Sequence, residues 1–201
     1  WKTKLSFGLG AFGKDAVYAI VSTFLMYFLT DVKGVAPAFV GTLFLVARIF
    51  DAVNDPIMGV IVDNTRSKFG RFRPWIMIGT VLNSVVLVLL YFNTSFSGTS
   101  YATWVAILYI LWGLTYTIED IPYWSMVPAL TEDPKERDQI SSIPRFFASL
   151  AWLVVGSGGF TIIGILGKGD DATGFSRFAM LIAVIFIIAS TITVMNCKEA
   201  R

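Results

Sequence analysis

Six runs of mostly apolar residues, each about long enough to cross a bilayer, constrain this chain more than any other feature. The hydrocarbon core measures about 30 Å and a helix rises about 1.5 Å per residue, so a span needs about 20 such residues. Runs at roughly 5–31, 36–62, 74–93, 101–127, 144–166 and 176–196 satisfy that length. The sequence therefore predicts an all-α membrane protein with six transmembrane helices. Composition agrees: of 201 residues 55% are hydrophobic and only 15% charged, well outside the soluble range. None of the runs has the form of a cleaved signal peptide.

The connections orient the chain. With spans alternating, Lys2, Lys4, Arg66, Lys68, Arg71, Arg73, Lys135, Arg137, Lys198 and Arg201 fall on one side, and Lys33, Lys168 and Arg177 on the other. The positive-inside rule then puts both termini in the cytoplasm. A single Cys197 excludes an intramolecular disulfide, and the chain has no histidine, the commonest catalytic base and metal ligand. Proton chemistry must run through carboxylates. GLGAFG at 8–13 fits G-x-G-x-x-G, but no strand precedes it, so its glycines read as close helix contacts rather than a dinucleotide site. Asn93-Thr94-Ser95 matches a glycosylation acceptor but abuts a span and is set aside.

The second run contains RIFDAVNDPIMG at 48–59, which places Arg48, Asp51 and Asp55 on one helical stripe with Asn54 beside it. Charge recurs elsewhere: Lys14-Asp15 in the first run, Glu119-Asp120 in the fourth, Arg145 at the start of the fifth. A charged side chain at the bilayer centre costs roughly 2.5 to 3.5 kcal/mol, unless it faces a shared wet cavity or pairs across helices. Five acids stand against three bases here, so pairing alone leaves carboxylates over. Two carboxylates about 6 Å apart repel by roughly 2.8 kcal/mol at an effective dielectric of about 20. A bound cation or a shared proton relieves that repulsion, and a hard ion such as Na⁺ suits an oxygen shell.

LTYTIEDIPYW in the fourth run sets Tyr116, Asp120 and Trp124 one turn apart along one side. A carboxylate accepts sugar hydroxyls while an aromatic plane packs the apolar ring face, although an interfacial aromatic belt produces the same composition. Pro122 and Pro128 are expected to bend or end this helix. GVIVDNTRSKFGRFRPW, with Asp63 ending one helix and glycines permitting a tight reversal, resembles the cytoplasmic loop motif of major facilitator transporters. TEDPKERDQISSIPR reads as a solvated connection.

GAFGKD at 10–15, GTLFLVARIFDAVNDPIMG at 41–59, YILWGLTYTIEDIPYW at 109–124 and PRFFASLA at 144–151 together resemble the melibiose permeases. These belong to the glycoside, pentoside and hexuronide cation symporters of the major facilitator superfamily. The resemblance implies a cation-coupled sugar symporter working by alternating access in a bacterial inner membrane. By it, Asp51 and Asp55 hold the cation, Na⁺ or else H⁺ or Li⁺, with Asn54, Thr117 and Asp120 contributing. Lys14, Asp15, Tyr116, Asp120, Trp124 and Arg145 form the sugar site. The implied partners are membrane lipid, a sugar and a second six-helix half, with no cofactor and no nucleic acid. Residues 1–201 then form the N-terminal six-helix bundle. Glu119 departs from the family pattern, where an apolar residue is expected, and its direction is open. The alternatives are a fragment or half-subunit needing a separate second half, and a membrane enzyme or channel using intramembrane acids.

Overall fold

A computed structural model describes residues 1–199; Arg201, counted above among the cytoplasmic charges, lies outside the described residues. Six long helices correspond to the six apolar runs: α1 Lys2–Tyr27, α2 Pro37–Asn64, α3 Arg73–Leu90, α4 Gly98–Ser125, α6 Pro134–Gly167 and α7 Asp171–Asn196, with one short turn, α5 Val127–Leu130, between α4 and α6. A π-helical segment, Phe28–Val32, extends α1. Five of the long helices are long and apolar enough to cross a membrane. The sixth, α2, is the one that carries Arg48, Asp51 and Asp55; its 28 residues still reach about 42 Å. The chain is a multi-pass membrane protein, and its two ends lie together, with the Cys197 thiol donating to the Thr3 carbonyl at 3.5 Å.

Helix α1 packs along α6 and α7, which also pack on each other, while α3 packs on α4 and α7, and α2 touches chiefly α4. Small residues let α1 approach. A Cβ on Gly13 would lie 2.9 Å from the Ala189 Cβ and 3.1 Å from the Phe186 Cα of α7, which bears out close helix contact for the GLGAFG glycines.

The boundaries differ from the sequence expectation at the start of α6. TEDPKERDQISSIPR is not a simple connection: from Pro134 onward it is helix. The cause is local. Asp133 caps the helix by accepting from the Lys135 backbone N–H at 3.0 Å, and Pro134 fits the first turn, where no N–H is needed. At the other proline-bearing junction the expectation holds, since α4 stops at Ser125, one turn past Pro122, and Pro128 opens α5.

Two apolar clusters form the core. One holds Val17, Phe24, Leu43, Ala47, Val105, Trp112, Val155 and Phe186, the other Phe7, Ala11, Met58, Val62, Ile76, Tyr123 and Ile140. On α1, α2 and α4 the residues between them are 12–15, 48–57 and 113–122, so the charged residues of those helices fall in one layer between two dry ends.

Candidate functional site

Lys14 is the hub of this layer. Its side chain is only 3% exposed, its ammonium pairs with Asp120 of α4, lies 3.6 Å from Asp15 Oδ2 and donates to the Tyr116 hydroxyl at 3.3 Å. Three aromatic faces enclose it, with Nζ 5.3, 5.4 and 5.5 Å from the ring centres of Trp124, Tyr123 and Tyr116. A buried ammonium needs this combination of opposite charge, acceptors and ring quadrupoles in place of water. Asp15 and Asp120 remain partly exposed, with oxygens to spare for a ligand.

Across α4 lies a small cavity of about 200 Å³ between α1, α2 and α4, lined by Tyr18, Arg48, Asp51, Asp55, Gly113, Thr117 and Asp120 among others. Arg48 donates to the Tyr18 hydroxyl at 3.3 Å and lies 3.4 Å from Asp51 Oδ2. Thr117 Oγ1 lies 3.0 Å from both Asp55 Oδ1 and the Gly113 carbonyl, sharing its proton between them. Gly113 leaves room for the Asp51 carboxylate, since a Cβ there would sit 2.9 Å from Asp51 Oδ1. Lys14 and Arg48 face four carboxylates, Asp15, Asp51, Asp55 and Asp120, so the cluster is short of positive charge. Its donor set is hard oxygen, from carboxylates and a hydroxyl, which fits an alkali cation better than a transition metal.

Of the residues expected from sequence, the structure brings Lys14, Asp15, Tyr116, Asp120 and Trp124 into one cluster and Asp51, Asp55, Thr117 and Asp120 around one cavity. Asp120 borders both. Asn54 does not line the cavity; its amide nitrogen is enclosed and without a hydrogen-bond partner among the described residues. Arg145 is exposed on α6 and is not joined to the cluster by an ion pair among the described residues. Glu119, whose direction the sequence left open, does not line the cavity: it is fully buried, its Cα and Cβ set against Gly79 of α3, with both carboxyl oxygens unpartnered among the described residues.

Sequence reasoning missed Tyr18, Trp112, Gly113, Tyr123 and Trp152. A signal existed for three of them. Trp112 continues the Tyr116, Asp120, Trp124 stripe by one turn, Tyr18 lies one turn from Lys14, and Trp152 lies two turns from Arg145.

In the loop between α2 and α3, Arg71 pairs with Asp63 at 2.5 Å, and Gly70 takes a positive φ of 106°. Glu199 closes the same turn, accepting from the backbone N–H groups of Arg71, Phe72 and Arg73 at 2.6, 2.8 and 3.2 Å.

Comparison with known proteins shows the family. Residues 6–201 match the family described as MFS/sugar transport protein. The chain is 33% identical to an isoprimeverose transporter of Lactiplantibacillus pentosus over 99% of its own length and 42% of that protein's. It is 31% identical to the inner membrane symporter YicJ of Escherichia coli K12, covering 98% of this chain and 43% of that one. A lactose permease of Lactobacillus helveticus is 34% identical, over 96% of this chain and 33% of the permease. The chain thus spans less than half the length of these curated relatives.

Proposed function

Because the chain belongs to the MFS/sugar transport protein family, a family of carriers and not of enzymes, we propose that it forms the N-terminal six-helix half of a cation-coupled sugar symporter. In this reading the carrier imports a neutral glycoside such as melibiose across a bacterial inner membrane, with both ends of this chain in the cytoplasm. Asp51 and Asp55, with Thr117 and Asp120, take the coupling cation, Na⁺ first and Li⁺ or H⁺ as the alternatives. Lys14, Asp15, Tyr116, Asp120 and Trp124 form one wall of the sugar site. By resemblance alone, Arg145 is assigned to the sugar site and Asn54 to the cation site. A second six-helix half supplies the facing wall and rocks against this one.

The observation that carries this reading is a spacing on α4. Thr117 reaches Asp55 of α2, and Asp120, three residues on, reaches Lys14 of α1. The cation side and the sugar side therefore hang on adjacent turns of one rigid helix. A cation that draws on Asp55 and Asp120 changes what Lys14 and the sugar hydroxyls meet, and by linkage the sugar raises cation affinity by the same factor. Supporting this is the charge deficit, which a cation offsets.

The test is uptake of radiolabelled melibiose, lactose, raffinose and isoprimeverose by the reconstituted full-length carrier, with Na⁺, with Li⁺ and with a proton gradient alone. Cation-stimulated uptake of at least one sugar is expected, and Asp51→Asn and Asp55→Asn should each remove the stimulation while weak sugar binding survives. Normal cation stimulation in both variants would show that the cation site lies elsewhere.

A further inference from the structure

We propose that Trp152 is a specificity-determining residue of the sugar site, forming with Tyr18 an aromatic wall that selects neutral glycosides with a second ring or an apolar substituent. The inference rests on the sugar-carrier reading above.

Tryptophan in a spanning helix ordinarily sits near an end, where the indole lies in the interfacial belt. Trp152 does not. It lies near the middle of the 34-residue α6, 37% exposed, with its N–H directed to Asp15 Oδ1 at 3.3 Å. An indole in the interior of a spanning helix, its N–H on a carboxylate and part of its face uncovered, is placed to meet a ligand of Asp15. Asp15 is thereby gripped from two sides, by Trp152 at one oxygen and by Lys14, 3.6 Å from the other. A carboxylate has about four lone-pair sites, so those that remain are fixed in direction and point a hydroxyl donor to one place.

Tyr18 continues the wall. Its ring centre is 6.1 Å from that of Trp152, 5.2 Å from Tyr116 and 5.6 Å from Trp112, and its hydroxyl accepts from Arg48. The rings run in series from α6 across α1 to α4, with Trp152 bonded to Asp15 at one end and Tyr116 one turn from Asp120 at the other. A pyranose has hydroxyls at its rim and an apolar C–H face, the two surfaces such rings and such carboxylates accept. One ring bonded to Asp15 and Asp120 leaves the next ring, or an apolar aglycone, lying on Trp152. An anionic sugar would set its carboxylate against Asp15 and Asp120 and is disfavoured.

The experiment uses Trp152→Phe and Trp152→Ala in the full-length carrier, with Asp120→Ala as control, and measures KM and Vmax for whichever of melibiose, lactose, raffinose and isoprimeverose it accumulates. Trp152→Ala is expected to raise KM about tenfold through loss of stacking and of the Asp15 hydrogen bond, with Vmax within about twofold of the parent. Trp152→Phe, which keeps a ring and loses the N–H, should fall between, and it should abolish the part of the sugar-induced tryptophan emission change that Trp152 supplies. KM unmoved in both variants, or a fall in Vmax at constant KM, would overturn the inference while Asp120→Ala still abolished uptake. Accumulation of none of the four sugars would instead refute the sugar-carrier reading itself.

Discussion

Gly113→Ala separates the stability of α4 from the affinity of the cavity beside it. The added Cβ would stand 2.9 Å from Asp51 Oδ1, where ordinary contact begins at 3.4 Å, so the carboxylate must retreat by about 0.5 Å. The atom displaced is the end of a side chain, and replacing a mid-helix glycine by alanine gains about 0.5 to 1 kcal/mol. Thermal stability should therefore hold or rise. The cavity responds in the opposite direction. A hard cation sits about 2.4 Å from its oxygens. Moving one carboxylate from about 2.4 to about 2.9 Å at an effective dielectric of about 20 weakens attraction from roughly 6.9 to roughly 5.7 kcal/mol, near tenfold in affinity. The assay is a Na⁺ titration of sugar binding in the purified full-length carrier, run beside a thermal melt. Half-saturating Na⁺ unchanged within about twofold in a folded Gly113→Ala would refute the placement of the cation against Asp51.

Other positions give independent outcomes. Glu119→Met should leave sugar affinity within about threefold and not lower the melting temperature, because it removes an unpartnered buried carboxyl at no loss of a contact; loss of sugar binding, read by calorimetry, would return Glu119 to the site. Glu199→Ala should cost about 1 to 2 kcal/mol, by releasing three backbone donors at the start of α3, and should speed proteolysis at the Arg71 turn. Cys197 lies just past α7, where burial pushes its thiol up to about 12 against a smaller opposing pull from Arg73. Maleimide labelling at pH 7.5 should therefore be slow in the folded protein and fast after denaturation. Its raised value also favours the folded state at pH below about 8.5, a contribution lost as pH climbs toward about 12.

The spans were legible because lipid leaves the backbone no other partner, so apolar length translates directly into helices. The charged residues were legible for the converse reason: Lys14, Asp51, Asp55 and Asp120 are too costly in that setting to be incidental. What the sequence hid was direction between helices. Glu119 and Asp120 are neighbours in the chain, yet one turns to Gly79 of α3 and the other to Lys14 of α1, and only the packing of α3 and α1 on α4 decides which. For Trp152 the sequence offered only its place two turns from Arg145 in an apolar run; its contact with Asp15, 137 residues away, comes from the packing of α6 on α1. The early start of α6 was readable in Asp133-Pro134, but the charge alternation there obscured it.

The polar layer extends beyond the charges. Between the two apolar clusters along their helices, α3 contributes Thr80, Asn83 and Ser84 and α7 contributes Ser190, all fully or nearly fully buried, each with a side-chain atom lacking a partner among the described residues. An unsatisfied buried polar atom costs about 1 to 3 kcal/mol, so a bundle selected for stability alone would fill this level with apolar side chains. The two dry clusters on either side hold the helices together at their ends. In the proposed carrier, a ligand that drew Asp120 away from Lys14 would act on α4 between these two regions, and Thr117, three residues along, would carry that change to Asp55. Packing the layer tightly would remove the freedom on which that coupling depends.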